Sequence, residues 1–205
     1  MNAPAIDHLV IAARTLEEGS AWLQDRLGVP LSPGGEHPTF GTHNQLLSLG
    51  ASYLEVLAIN PQASAPLRPR WFGLDTPEVQ HRLSHGPLLF HWVARTPQPP
   101  LPSQGNRLSL SRGSYAWTLT VPDDGLLPLG GALPSLIEWA GVSPAPALPD
   151  VGVRLASLSL LTPQPDELNV ALASLQLADL VKVAPFKSVR LRAVLQTPSG
   201  EVGLE

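Results

Sequence analysis

The chain has 205 residues, of which 43% are hydrophobic and 15% charged, enough for one generous domain or two small ones with a sizeable core, and too apolar for wholesale disorder. Thirteen basic against 17 acidic residues leave a formal charge of −4 with no Lys/Arg run, which argues against nucleic acid and a lipid surface as partners. Cysteine is absent, removing disulfides and thiolate chemistry. Asp7 and His8 stand where a signal peptide carries basic residues, and no 18-residue apolar run exists, so a soluble cytoplasmic protein is expected.

The first unit covers residues 1–60. Ile6–Ala12 reads as a strand, because β-branched and apolar residues run without a helical period. Thr15 and Glu18 form a capping box, and the helix they start carries Leu16, Leu23 and Leu27 on one stripe with Trp22 beside it. Gly28 suits the left-handed position after the helix and Pro30 prevents its continuation. A loop holding Pro33, Gly34, Gly35 and Pro38 follows. Leu46–Leu49 and Tyr53–Ile59 then read as strands joined by a Gly50-Ala51-Ser52 turn. The unit is strand, helix, then three strands.

Residues 61–150 are expected to be a proline-rich connector with added strands and lid-like loops; the chain holds 23 prolines, about twice the average share. Leu88–Ala94 reads as a strand, Arg107–Leu110 and Tyr115–Val121 as a hairpin, and Leu133–Trp139 as a short helix with Pro134 in its first turn. Residues 151–205 repeat the opening order: strand Val153–Leu161, a helix with Asp166 and Glu167 in its first turn, and a closing hairpin around Thr197-Pro198-Ser199-Gly200. Shifting the first unit by 150 positions sets Val10 on Leu160, Glu17 on Glu167 and Leu27 on Leu177, the mark of an internal duplication.

Several stretches together resemble one family: Ile6-Asp7-His8-Leu9-Val10, Leu16-Glu17-Glu18, Leu27-Gly28-Val29, Gly41-Thr42-His43-Asn44 leading into Leu46–Gly50, Tyr53-Leu54-Glu55-Val56, Leu133–Trp139 and Thr197-Pro198-Ser199-Gly200. The chain resembles the glyoxalase-like domain proteins of the vicinal oxygen chelate superfamily, which also holds extradiol dioxygenases and bleomycin-resistance proteins. The resemblance spans nearly the whole chain. It implies an α+β fold of two strand–helix–three-strand (βαβββ) modules, here 1–60 and 151–205, forming curled mixed sheets around a cavity as one compact domain. In metal-dependent relatives each module offers one ligand from its first strand and one from its last. His8 and Glu55 stand at those two positions of the first module, whereas the second offers Leu158 and Val202 or Gly203, which cannot ligate.

The residues support pairing His8 with Glu55, since each is a polar group in an apolar strand row and an unpartnered buried polar group costs several kcal/mol. Two readings satisfy them: a divalent metal ion (Zn, Fe, Mn or Ni), or a metal-free His–Glu pair filling the core. His91 would complete a two-histidine, one-carboxylate set, or is a buried strand histidine. Thr42, His43 and Asn44, at the mouth of a strand, and Trp92 are the candidate substrate-binding residues, Thr42 and Asn44 being equally suited to turn chemistry. His37, His81 and His85 fall in loop or connector sequence and are not singled out. No residue stands out as the catalytic base, and no nucleotide fingerprint, P-loop or nucleophile elbow is present, so no nucleotide cofactor is expected. The expected function is that of a glyoxalase-like enzyme of lyase or dioxygenase type acting on a small molecule; the alternative is a metal-free protein that sequesters a hydrophobic compound. Monomer and homodimer both remain open.

Overall fold

The computed structural model describes residues 3–205. In chain order the elements are β1 (Ala5–Ala12), α1 (Leu16–Leu27), β2 (Ser32–His37), β3 (Thr42–Ser48), β4 (Tyr53–Ile59), α2 (Pro77–Leu83), β5 (Leu88–Arg95), β6 (Asn106–Arg112), β7 (Tyr115–Val121), β8 (Ser135–Trp139), β9 (Arg154–Thr162), α3 (Pro165–Ser174), β10 (Lys182–Pro185), β11 (Arg190–Thr197) and β12 (Gly200–Leu204). They form an eight-stranded sheet of order β2-β3-β4-β1-β5-β8-β7-β6 and a four-stranded sheet of order β10-β9-β11-β12. The fold is α+β, with the large sheet curled around a cavity. No helix among the described residues is long and apolar enough to cross a membrane.

The first unit forms as its residues dictate. Thr15 Oγ1 accepts from the Glu18 amide at 3.1 Å, and Gly28 closes α1 at a φ of 67°. Gly19 lets α1 lie directly on the sheet: a Cβ there would stand 2.6 Å from Val56 Cγ1 and 2.8 Å from Ala13 Cβ. The stretch around Pro33-Gly34-Gly35, read from sequence as loop, is β2, an edge strand, which is where proline and glycine are tolerated in a sheet.

The strand order is symmetric about the antiparallel β1–β5 pair, and residues 88–139 supply the half facing β1–β4. That half has no α-helix, because Pro97, Pro99, Pro100 and Pro102 occupy the span where α1 would have its counterpart. Leu133–Trp139, read as a helix, is the strand β8. Five apolar-rich residues fit either period, and pairing with β5 and β7 decides for the strand.

Residues 151–205 show the expected order of strand, helix and three strands, but pair differently: β9 lies between β10 and β11, whereas β1 pairs with β4, the last strand of its unit. This small sheet does not line the cavity. Leu158, Leu160, Leu191 and Ala193, with Leu168 and Leu172 of α3, join Leu9, Ile11, Trp92 and Ala94 in one apolar cluster on the back of the large sheet. α1 covers β3 and β4 on that face, and β11 meets β5. The small sheet thus protects the apolar back that a second helix would otherwise have covered.

Candidate functional site

On the concave side the large sheet encloses a cavity of about 70 Å³, with walls from all eight of its strands and from Phe40, Trp71 and Phe72. Its walls are mostly apolar, Leu57, Val93, Trp117, Leu119 and Ile137 among them, with one connected polar line running through them.

That line starts at a β-bulge. Between the Ile6–Ala94 and His8–Val93 pairs, β1 spends one residue more than β5, and the extra residue is Asp7. Regular alternation would send Asp7 and His8 to opposite faces; the bulge brings them together, with His8 Nδ1 2.8 Å from Asp7 Oδ1. A carboxylate can only accept, so Nδ1 carries the proton and Nε2 is left to face the cavity. Asp7 is itself held: Trp139 Nε1 donates to its Oδ2 at 3.0 Å, and Arg95 Nε lies at the same distance as a charge contact whose N–H is not aligned for a hydrogen bond. His8 stacks on Tyr53, with ring centroids 4.6 Å apart and planes within 16°. Burial, and then the charges of Asp7 and Glu55, push the Tyr53 phenol well above its ordinary pKa, which keeps it protonated.

Glu55 follows Tyr53 by two positions on β4 and so shares its face. Its Oε2 is 3.5 Å from His8 Nε2, and its Oε1 accepts from Asn44 Nδ2 at 2.5 Å. His8 and Glu55 are only 6% and 7% exposed. Asn44 is oriented from its other end, where Oδ1 accepts from the Gly35 amide at 2.8 Å and from Arg112 Nη1 at 2.9 Å. His37 completes the wall: Nδ1 pairs with Thr42 Oγ1 at 3.2 Å, and Nε2 faces Asn44 Nδ2 at 3.4 Å and Arg112 Nη1 at 3.3 Å. Because both neighbours of Nε2 are donors, His37 is neutral, and burial lowers its pKa accordingly.

Of the residues singled out from the sequence, His8, Glu55, Thr42 and Asn44 meet in this cavity. His43, Trp92 and His91 are not among its lining. His43 alternates with Thr42 and Asn44 on β3, and its Nε2 is buried without a partner. Trp92 belongs to the core behind the sheet, its indole donating to the Ala132 carbonyl at 2.9 Å. His91 is wholly buried, with Nε2 accepting from the Ser135 amide at 3.1 Å and Nδ1 3.2 Å from the Gly131 carbonyl. Asp7, Tyr53, His37, Arg112 and Trp139 were not singled out as site residues from the sequence. The bulge and the approach of β6 to β2 are long-range events, and the one local hint was Asp7 beside His8.

The residues present do not fit a resident divalent metal. The positions across the sheet axis from His8 and Glu55 are Val93 and Ile137, which have no ligating atom. Among the described residues no group of three or more His, Cys, Asp or Glu converges as a metal site. The protein already meets part of the pair's needs without a cation: His8 Nδ1 lies against Asp7 Oδ1, and Glu55 Oε1 accepts from Asn44 Nδ2.

A solved structure of a hypothetical protein from Staphylococcus aureus matches over 92% of this chain and 88% of its own, with a TM-score of 0.60 at 12% identity, a likeness of fold. Methylmalonyl-CoA epimerase from Mycobacterium tuberculosis matches 69% of this chain and 91% of its own at 18% identity and a TM-score of 0.39. The Streptomyces coelicolor epimerase, in complex with 2-nitronate-propionyl-CoA, matches 69% and 99% at 19% identity and a TM-score of 0.42. No curated protein matches the sequence. The family model described as a glyoxalase-like domain matches residues 6–176, a span that takes in the bulge at Asp7, the whole cavity and the start of the small sheet. The chain therefore belongs to the glyoxalase-like domain family.

Proposed function

We propose that this protein is a glyoxalase-like enzyme of lyase type that removes a proton from the carbon beside a carbonyl group of a small molecule held in the cavity. The observation that carries the reading is the Asp7–His8–Glu55 line on the wall of a largely apolar hollow. His8 Nε2 is the base. It takes the proton, the C–H electron pair moves toward the carbonyl oxygen as an enolate, and collapse of the enolate expels a group from the neighbouring carbon or recovers the proton. Asp7 holds the imidazole in the tautomer that leaves Nε2 free, and with Glu55 it stabilises the imidazolium that forms. The apolar walls keep water from the base and strengthen these charges. Dioxygenase chemistry of the kind expected from sequence needs a metal held by more protein donors than His8 and Glu55 provide.

The test is solvent exchange. Small carbonyl compounds are incubated with the protein in D₂O, and loss of the C–H signal is followed by NMR. Exchange above the buffer rate is expected, falling about 10²- to 10⁴-fold in His8→Asn, the usual worth of a general base. Exchange by His8→Asn at the wild-type rate overturns the reading. Metal-free purification and chelator treatment should leave exchange unchanged.

The aromatic lining, with Phe40, Trp71, Phe72 and Trp117, favours a second reading, sequestration of an apolar compound. Tight binding of such a compound without exchange supports it.

A further inference from the structure

Arg112 ends β6 and leans back across the cavity mouth onto β2 and β3. Of the 11 arginines, Arg14, Arg70, Arg95, Arg107, Arg154, Arg190 and Arg192 each have a carboxylate within 4 Å. Of the other four, Arg26 and Arg82 lie over the rings of Trp22 and Phe90, and Arg68 donates to the Pro122 carbonyl. Arg112 is the one that lines the cavity. Its hydrogen bonds run from Nη1 alone, to Asn44 Oδ1 and His37 Nε2, both neutral acceptors. Nε and Nη2 have no hydrogen-bond partner among the described residues. A guanidinium offers five N–H donors in a fork that matches a carboxylate, so half of this fork remains to be used.

The surroundings are built for it. A Cβ at Gly35 would lie 2.7 Å from Arg112 Cδ, so the glycine is what lets the side chain lie flat across β2. His37 beside it is neutral and adds no competing cation. Through Asn44, Arg112 is coupled to Glu55 and thence to His8, which puts the free donors two side chains from the base. On the apolar wall Trp71, 3% exposed, has an indole N–H without a protein partner, a second donor short of an acceptor.

We infer that Arg112 is the anion-recognising residue of the cavity and that the carbonyl compound it receives is a small carboxylic acid, such as a 2-oxo acid. This rests on the proposed function only for the carbonyl; the carboxylate is read from Arg112 itself. Free phosphate shares the anionic chemistry, but its second charge would meet Glu55, and the cavity suits the smaller group.

Binding separates these possibilities without turnover. Pyruvate and phenylpyruvate, their methyl esters and inorganic phosphate are titrated by calorimetry into the wild type, Arg112→Met and Arg112→Lys, each verified as folded by circular dichroism. The acids should bind about ten- to a hundredfold more tightly than their esters, the range for hydrogen bonds to a charged group. Arg112→Met should erase that preference by weakening the acids far more than the esters, and Arg112→Lys should restore part of it. The proposal falls if no acid binds better than its ester, if Arg112→Met weakens both alike, or if phosphate binds more tightly than the acids. Acid binding through Arg112 without C–H exchange sinks the proposed enzyme and leaves this inference standing; equal exchange of acids and esters does the reverse.

Discussion

His91 is held neutral on β5, where Ser135 and Gly131 satisfy its ring and burial lowers its pKa to about 3. The unfolded chain would protonate the same ring below about pH 6.5. Because the folded value is the lower one, stability is present at neutral pH and falls with acidification by about 1.4 kcal/mol per unit between about pH 6.5 and 3. His37 adds a loss of the same sign, for the same reason of burial. Urea midpoints measured from pH 7 to pH 5 should therefore fall, and His91→Gln should flatten the slope by one proton whatever it does to stability at pH 7. At the site itself, Asp7→Asn preserves shape but no longer enforces the Nδ1–H tautomer of His8. Solvent exchange should slow by about 10²- to 10⁴-fold. His8 and Glu55 were legible in the sequence because each interrupts an apolar strand. Asp7 was not, since alternation points it away from His8 and only the bulge turns it back.

α1 and β8 mark the two extremes of legibility among the elements. The cap, stripe and stop of α1 are all local, and all are seen. Thr15→Ala should cost about 1 kcal/mol in chemical denaturation, the usual worth of an N-cap. Gly19 offers a sharper test. Helix propensity alone favours Ala over Gly by about 1 kcal/mol, yet the added methyl would press on Val56 and Ala13, and overpacking costs about 1–3 kcal/mol. Gly19→Ala is expected to lower the denaturation midpoint, which shows that contact with the sheet outweighs propensity. β8 reads as a helix because Pro134 suits a first turn and five residues are too few to display a period. Its neighbours supply what the segment lacks: Ser135 and Leu136 pair with β5, and Ile137 to Trp139 with β7.

Across the molecule, one apolar cluster ties the small sheet to the back of the large one, while a second lines the cavity side. Trp92 stands in the first, and Trp71, Trp117 and Trp139 belong to the second. Interlocked in this way, the two sheets should unfold together: far-UV circular dichroism and tryptophan fluorescence are expected to give one coincident transition in denaturant. Separate transitions would show that residues 151–205 hold together independently. The symmetry of the large sheet also explains why a shift of 150 positions led to Leu158 and Val202, which lie in the small sheet and not opposite His8 and Glu55. The counterparts across the large sheet, Val93 and Ile137, have no ligating side chain.

What depends on neighbours a few residues apart could be read directly from the chain: the caps of α1, the β3–β4 and β6–β7 hairpins, the apolar strands, and the polar interruptions at His8 and Glu55. Contacts between distant segments could not. Which half-sheet faces the first unit, the turning of Asp7 onto His8, and the reach of Arg112 over Gly35 to Asn44 all depend on strand order and register. These are set by how whole apolar faces bury one another, an energy spread over many residues that no short motif records.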